Sequence, residues 1–82
     1  MAIKYLYVTA SKQVLARSKK EALYLFSLDE GKVVQWNKVL RAGYASRAYR
    51  DCMYVMGYGD LYDNKPIPCD KDAMIYYDLL RA

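Results

Sequence analysis

The chain is 82 residues long, 55% hydrophobic and 27% charged, and it carries a formal net charge of +4. This length corresponds to a single domain covering residues 1–82, and the hydrophobic content lies outside the range of disordered chains. No apolar run approaches the ~20 residues of a membrane span, and the N-terminus lacks the apolar core of a signal peptide. We therefore expect a cytoplasmic protein that has no membrane partner.

Charge is distributed unevenly along the sequence. Residues 1–50 hold ten lysines and arginines against three acids, whereas residues 51–82 hold three against six. This polarity predicts a positive face directed at an anionic partner, although folding could also intermix the charges of the two halves.

The residue types needed for catalysis or metal binding are scarce. There is no histidine, so the usual general base and the commonest metal ligand are missing. Cys52 and Cys69 alone do not make a zinc site; a disulfide between them is an alternative that a reducing cytosol disfavours. Gly57-Tyr-Gly59 lacks the third glycine of a dinucleotide-binding loop and indicates a helix stop. We expect no enzymatic activity, no cofactor and no metal.

The N-terminal residues have the character of a β-hairpin. Ala2–Ala10 alternates in part and is enriched in β-branched and aromatic residues, which favours a strand. Ser11–Gln13 then predicts a turn, and Val14–Arg17 predicts a second strand paired with the first.

A capping box follows the hairpin. Ser18 and Glu21 are spaced so that each can satisfy a free N–H group of a first helical turn. This predicts a helix from Lys19 to about Leu28. A single helix from Ser11 to Ser27 is the alternative, but it would place the polar Ser18 on its apolar stripe. The residues predicted to be buried are Ala22, Leu25 and Phe26.

The middle of the sequence is ambiguous between helix and strand. Ser27 and Glu30 form a second possible capping box, and the apolar residues Val33, Trp36 and Leu40 that follow have helical spacing. We expect a helix that ends at Gly43, a residue able to adopt the left-handed conformation of a helix C-terminus. A strand over residues 33–36 is the alternative.

Ser46 can cap a further helix. We expect this helix to end at the two glycines, Gly57 and Gly59. Asp60–Asp70 is then an extended loop containing two prolines. Asp70 caps a last helix, Lys71–Leu80. The fold class is thus α+β, an N-terminal hairpin packed against three or four short helices. The predicted core residues are Ala48, Tyr49, Cys52, Met53 and Met56 in the first of these helices, and Ala73, Tyr76, Tyr77 and Leu80 in the last.

Cations and tyrosines are concentrated around the predicted glycine turn. Guanidinium groups bind phosphate oxygens in a fork geometry, and exposed tyrosines stack on unpaired bases. A second basic cluster lies at the start of the first helix, where cations are not favoured by the helix dipole and are candidates for an anionic partner. The candidate phosphate contacts are Lys38, Arg41, Arg47 and Arg50, the candidate stacking residues are Tyr44 and Tyr54, and the second cluster comprises Arg17, Lys19 and Lys20.

Two stretches, MAIKYLYVTA and YASRAYRDCMY, carry a resemblance to known proteins. In size and texture, all 82 residues resemble the short, single-domain, tyrosine-rich early proteins of T-even-type tailed phages. The resemblance implies an accessory protein of the host cytoplasm that inhibits a host nucleic-acid-processing enzyme or blunts a host defence. It transfers no functional residue, because no motif can be aligned.

The sequence therefore predicts a small, non-enzymatic, basic protein that binds nucleic acid, RNA rather than DNA, and inhibits a host enzyme or defence system. The alternative is a protein–protein interaction module that inhibits a host protein without nucleic acid. Composition does not separate the two, because arginine and tyrosine are also enriched at protein interfaces.

Overall fold

The N-terminal hairpin forms the centre of a four-stranded antiparallel sheet. The computed structural model describes residues 4–81. Strand β1 (Tyr5–Val8) pairs with β2 (Lys12–Ala16) and with β3 (Leu40–Tyr44), and β2 also pairs with β4 (Ile67–Pro68). The strand order is β3-β1-β2-β4. The predicted hairpin and the α+β class are confirmed, but the predicted turn at Ser11–Gln13 is wrong, because β1 ends at Val8 and β2 already begins at Lys12. Residues 2 and 3 of the predicted first strand lie outside the described range.

Both faces of the sheet are covered. Leu6 and Leu15 pair across the hairpin and pack with the C-terminal half of the chain, whereas Tyr7 and Val14 pack on the opposite face with the first helix. A central strand that is buried on both faces has no polar face to alternate with its apolar one. This explains why the alternation in the N-terminal sequence is only partial.

Helix α1 (Lys19–Glu30) begins where the sequence predicts. The Ser18 hydroxyl accepts a hydrogen bond from the Glu21 N–H at 3.2 Å, while the Glu21 carboxylate accepts from the Arg17 N–H. The helix ends at Gly31, which has the left-handed φ of +70°. The alternative of one helix from residue 11 is wrong. Of the residues predicted to be buried in α1, Ala22 and Phe26 are buried and Leu25 is half-buried.

The predicted helix ending at Gly43 does not form. The segment after α1 instead contains a short 3-10 helix, Trp36–Lys38, followed by β3. The alternative strand over residues 33–36 is also wrong, because the third strand starts later. Val33 is 88% exposed and Leu40 is 62% exposed, so the helical spacing of these residues does not mark a buried stripe. Pairing with the open edge of β1 overrides the local pattern.

The N-terminal cap predicted at Ser27 is wrong as well. Ser27 lies inside α1, and its hydroxyl accepts from the Val34 N–H at 3.1 Å. This hydrogen bond holds the segment that follows α1 against the helix. Val34 and Val39 of that segment complete the core on this face of the sheet.

Gly43 is required because the C-terminal segment lies very close to β3 at this position, and not because the chain turns there. It lies in β3 opposite Leu6, next to an irregularity in the β1–β3 register. A Cβ on Gly43 would lie 2.9 Å from the Arg81 carbonyl oxygen and 3.1 Å from the Leu80 Cβ. The C-terminal segment is held over the strand at this point by two backbone hydrogen bonds between Tyr44 and Arg81.

Helix α2 (Arg47–Val55) has the predicted cap. The Ser46 hydroxyl accepts from the Tyr49 N–H at 3.2 Å and donates to the Leu79 carbonyl oxygen at 2.8 Å. Tyr49 and Met53 are fully buried against the sheet, as predicted. Among the other predicted core positions, Cys52 is half-buried, whereas Ala48 and Met56 are exposed.

The region predicted as a long loop contains two short elements. Helix α3 (Gly59–Tyr62) and strand β4 interrupt it. The Asp70 carboxylate then accepts from the Ala73 N–H at 2.7 Å, which confirms the predicted cap. The last helix divides into α4 (Lys71–Met74) and a 3-10 helix, Ile75–Leu79. Of its predicted core residues, Ala73 is buried, and Tyr76, Tyr77 and Leu80 pack half-buried against the core.

Candidate nucleic-acid interface

Strand β3 places an arginine and a tyrosine beside the same ring. In the β1–β3 register, Arg41 lies opposite Tyr7, and Tyr44 lies opposite Tyr5. The Arg41 guanidinium carbon is 4.7 Å from the Tyr5 ring centroid. The Tyr44 and Tyr5 rings meet edge-on, with their centroids 5.8 Å apart. The three side chains thus form a continuous cation–aromatic cluster at the edge of the sheet.

A second cation–aromatic contact joins α1 to the segment before β3. The Lys19 ammonium lies 4.4 Å from the centroid of the Trp36 ring, which is 54% exposed. Helix α1 starts three residues after Ala16, and Ala16 pairs with Tyr5. The start of α1 is therefore at the Tyr5 end of the sheet. We refer to these two contacts together, with their residues Tyr5, Lys19, Trp36, Arg41 and Tyr44, as the cation–aromatic face.

The acids of residues 4–81 do not pair with the cations of this face. Among the described residues, neither Lys19 nor Arg41 forms an ion pair. By contrast, Arg17 lies 3.1 Å from the Glu21 carboxylate. The contacts to aromatic rings leave the positive charge of Lys19 and Arg41 available to an anion. Lys20 of the second predicted cluster and Lys38 of the predicted phosphate contacts are exposed, Lys20 next to Lys19 in α1 and Lys38 in the 3-10 helix of Trp36.

The remaining predicted site residues lie on the other layer of the protein. Arg47, Arg50 and Tyr54 belong to α2, which packs on the sheet face opposite α1. The Arg47 Nε is 3.6 Å from the Asp51 carboxylate, an exposed pair that contributes little stability. Arg50 is half-buried, and its Nε has no hydrogen-bond partner in the described structure. The prediction of one helix–turn–helix corner around Gly43 is therefore wrong, because the fold separates its two halves.

Sequence reasoning missed two members of the cation–aromatic face. The sequence pattern places Trp36 on the apolar stripe of a helix, and it places Tyr5 in a strand with no predicted binding role. Both acquire their role from cations distant in sequence, Lys19 and Arg41, so no local pattern marks them. The lone tryptophan of the chain, flanked by polar residues in a segment of ambiguous structure, is the one signal that could have indicated an exposed ring.

A buried polar cluster lies in the other layer of the protein. The Tyr77 hydroxyl donates to the Gln13 Oε1 at 2.8 Å, and burial raises the pKa of Tyr77 to about 12. The neighbouring Tyr49 hydroxyl is buried and has no hydrogen-bond partner among residues 4–81, and burial raises the pKa of Tyr49. Cys52 and Cys69 are both free thiols, and burial raises the pKa of the Cys69 thiol. Tyr49 is fully buried, whereas Tyr77, Cys52 and Cys69 are half-buried.

Comparison with known proteins provides no family for this chain. No family model matches it, and no curated protein or solved structure is similar to it at a significant level. Among residues 4–81, no helix has the length and apolar character needed to cross a bilayer, and no group of three or more acidic or cysteine side chains is arranged to hold a metal ion.

Proposed function

We propose that this protein is a non-enzymatic binder of single-stranded nucleic acid, RNA rather than DNA. The observation that carries the proposal is the pairing of unneutralised cations with partly exposed rings, Lys19 with Trp36 and Arg41 with Tyr5. Proteins that bind single strands combine a positive track for the phosphates with aromatic rings on which bases stack.

Each component of the cation–aromatic face has a role in this proposal. The Trp36 ring stacks on one base, a contact that contributes about 1–3 kcal/mol in single-strand binding proteins. Arg41 already lies over Tyr5, and its planar guanidinium provides both a stacking surface and a fork of donors for phosphate oxygens. Lys20 and Lys38 extend the positive surface on either side and supply the salt-sensitive part of the affinity.

The surface is suited to unpaired bases, which RNA presents in its folded forms. Sequence-specific RNA recognition targets loops, bulges and ends, where bases are unpaired and can stack on aromatic or arginine side chains. A protein that covers such a strand excludes the enzymes that process it. Inhibition of a host nucleic-acid-processing enzyme or defence system, which the resemblance to phage early proteins implies, would follow from this competition without any catalytic step.

Binding of a labelled single-stranded RNA, measured by fluorescence anisotropy at increasing salt, tests the proposal. We expect binding at low salt, a linear decrease of log affinity with log salt concentration, and weaker binding of a DNA strand of the same sequence. Quenching of the single tryptophan should accompany binding, because the base stacks on Trp36. Absence of RNA binding at low salt would refute the proposal.

A protein partner is the second candidate, and exposed apolar residues on the opposite layer favour it. Val55 in α2 is 80% exposed, and Ile75 in the C-terminal 3-10 helix is 65% exposed. In this alternative the protein binds and inhibits a host protein directly. A pull-down from nuclease-treated lysate separates the candidates, since a specific partner that survives nuclease treatment and high salt supports the second and not the first.

A further inference from the structure

An open groove of about 490 Å³ lies between the turn of the N-terminal hairpin and the segment that follows α1. Thr9–Ser11 form one wall, and the other runs from Glu30 at the end of α1 to Lys38 at the end of the first 3-10 helix. Small-molecule sites in proteins have volumes of roughly 300–1,000 Å³. The groove is therefore large enough for a mononucleotide.

The charge in the groove is predominantly positive. Lys32 and Lys38 both line it, both are exposed, and neither forms an ion pair within the described residues. Glu30 is the one acid among the lining residues. Two unpaired ammonium groups on one wall are suited to a phosphate, which binds lysine as a compact point charge.

The same wall also presents an apolar surface in a fixed position. Gly31 turns the chain out of α1 in the left-handed conformation, and the Ser27 hydroxyl accepts from the Val34 N–H. Val34 is thereby buried, whereas the adjacent Val33 side chain is 88% exposed in the groove. The Val33 methyl groups provide an apolar contact for a base, and the Gln35 amide can donate to and accept from the base edge.

We infer that this groove binds one nucleotide, with its phosphate between Lys32 and Lys38 and its base against Val33 and Gln35. The inference rests on the proposed function and adds a nucleotide subsite to it. Lys38 belongs to the same 3-10 helix as Trp36, so a strand that stacks on Trp36 can place a neighbouring nucleotide in the groove. A free nucleotide has the same chemistry, and the experiment below separates the two sources.

The test is titration of the full-length protein with adenylate and cytidylate mononucleotides, and separately with oligoadenylate RNA, by isothermal calorimetry. The groove variant is Lys32→Gln. Its matched control is Lys71→Gln, the same charge change at an exposed residue of α4 on the other layer. The face variant is Trp36→Ala, which removes a ring of the cation–aromatic face and leaves both groove lysines in place.

We expect Lys32→Gln to weaken mononucleotide binding by about tenfold, the loss of one charge-assisted contact, and Lys71→Gln to have little effect. If Lys32→Gln also weakens oligoadenylate binding, the groove holds a nucleotide of the strand; if it weakens only mononucleotide binding, the groove holds a free nucleotide. Equal effects of Lys32→Gln and Lys71→Gln on every ligand would overturn the inference. Trp36→Ala reports on the proposed function separately, because its failure to weaken oligoadenylate binding refutes the cation–aromatic face whatever Lys32→Gln does.

Discussion

The Lys19 ammonium lies 4.4 Å from the centroid of the Trp36 ring, across a separation of seventeen residues in the sequence. This contact joins the basic start of α1 to the segment that leads into β3. Through it, Lys19 of one predicted basic cluster lies beside the 3-10 helix that carries Lys38 of the other. Contacts of this kind, and not the glycine turn predicted from the sequence, are the basis of the proposed nucleic-acid interface.

Replacing Trp36 should weaken RNA binding through loss of stacking. We expect Trp36→Ala to cost about 1–3 kcal/mol of binding free energy, while Trp36→Phe retains much of it because a π-face is kept. Trp36 is 54% exposed, so both variants should keep a melting temperature close to that of the wild type. Anisotropy titrations give the affinities and circular dichroism gives the melting temperatures; equal binding by the alanine and phenylalanine variants would contradict a stacking role.

Two exposed arginines on opposite layers test whether RNA affinity depends on the position of a positive charge or only on the net charge. Arg41→Gln should reduce the affinity for single-stranded RNA and lower the slope of log affinity against log salt by about one phosphate contact. Arg47→Gln makes the same charge change on α2, where the fold places it away from the cation–aromatic face. We expect a much smaller effect there. Equal losses in the two variants would show that net charge, and not the face, determines binding.

Gly43 should be intolerant of a side chain. Gly43→Ala places a Cβ 2.9 Å from the backbone oxygen of Arg81, so the C-terminal segment must shift away from β3. Forced contacts of this kind typically cost about 1–3 kcal/mol of unfolding free energy. Gly59→Ala is the control, because a Cβ there meets nothing within 4 Å. Denaturant unfolding of both variants measures the difference, and a Gly43→Ala protein as stable as Gly59→Ala would disprove the close approach.

Removing the hydroxyl group of Tyr77 and removing that of Tyr49 should have different effects on the unfolding free energy. The Tyr77 hydroxyl donates to Gln13, so Tyr77→Phe leaves a buried acceptor unpaired and should lower the unfolding free energy by about 1–3 kcal/mol. The Tyr49 hydroxyl is buried and finds no partner in the described part of the chain, so Tyr49→Phe should leave stability unchanged or raise it. Thermal and urea unfolding of the pair test this, and a larger loss for Tyr49→Phe would count against the described hydrogen bonding.

Stability should decrease at alkaline pH because of the buried tyrosines. Burial raises the pKa of Tyr77 to about 12 in the folded protein, whereas an exposed tyrosine in the unfolded chain has a pKa of about 10. Below pH 10 both states are protonated and the stabilisation is complete. Between about pH 10 and 12 the unfolded state loses its proton first, so the unfolding free energy falls as pH rises. Melting temperatures measured across this range should decline, and the decline should be shallower in Tyr77→Phe.

Local signals in the sequence were sufficient for the helix starts and for the hairpin. Ser18, Ser46 and Asp70 each accept a backbone N–H three residues ahead. A cap depends on groups within one helical turn, so its residues and spacing are visible in the sequence. The hairpin is also local, because its two strands are joined by a short turn.

The sequence by itself determined a small, basic, tyrosine-rich α+β domain with three capped helices. Only the tertiary structure decided that Gly43 lies in an edge strand beneath Arg81, and that Lys19 and Arg41 face Trp36 and Tyr5. The physical reason is the distance in sequence between the groups that interact. Caps and turns act through neighbouring backbone groups, whereas strand pairing and cation–π contacts join residues far apart in the sequence, and their partners are selected by packing the whole sheet.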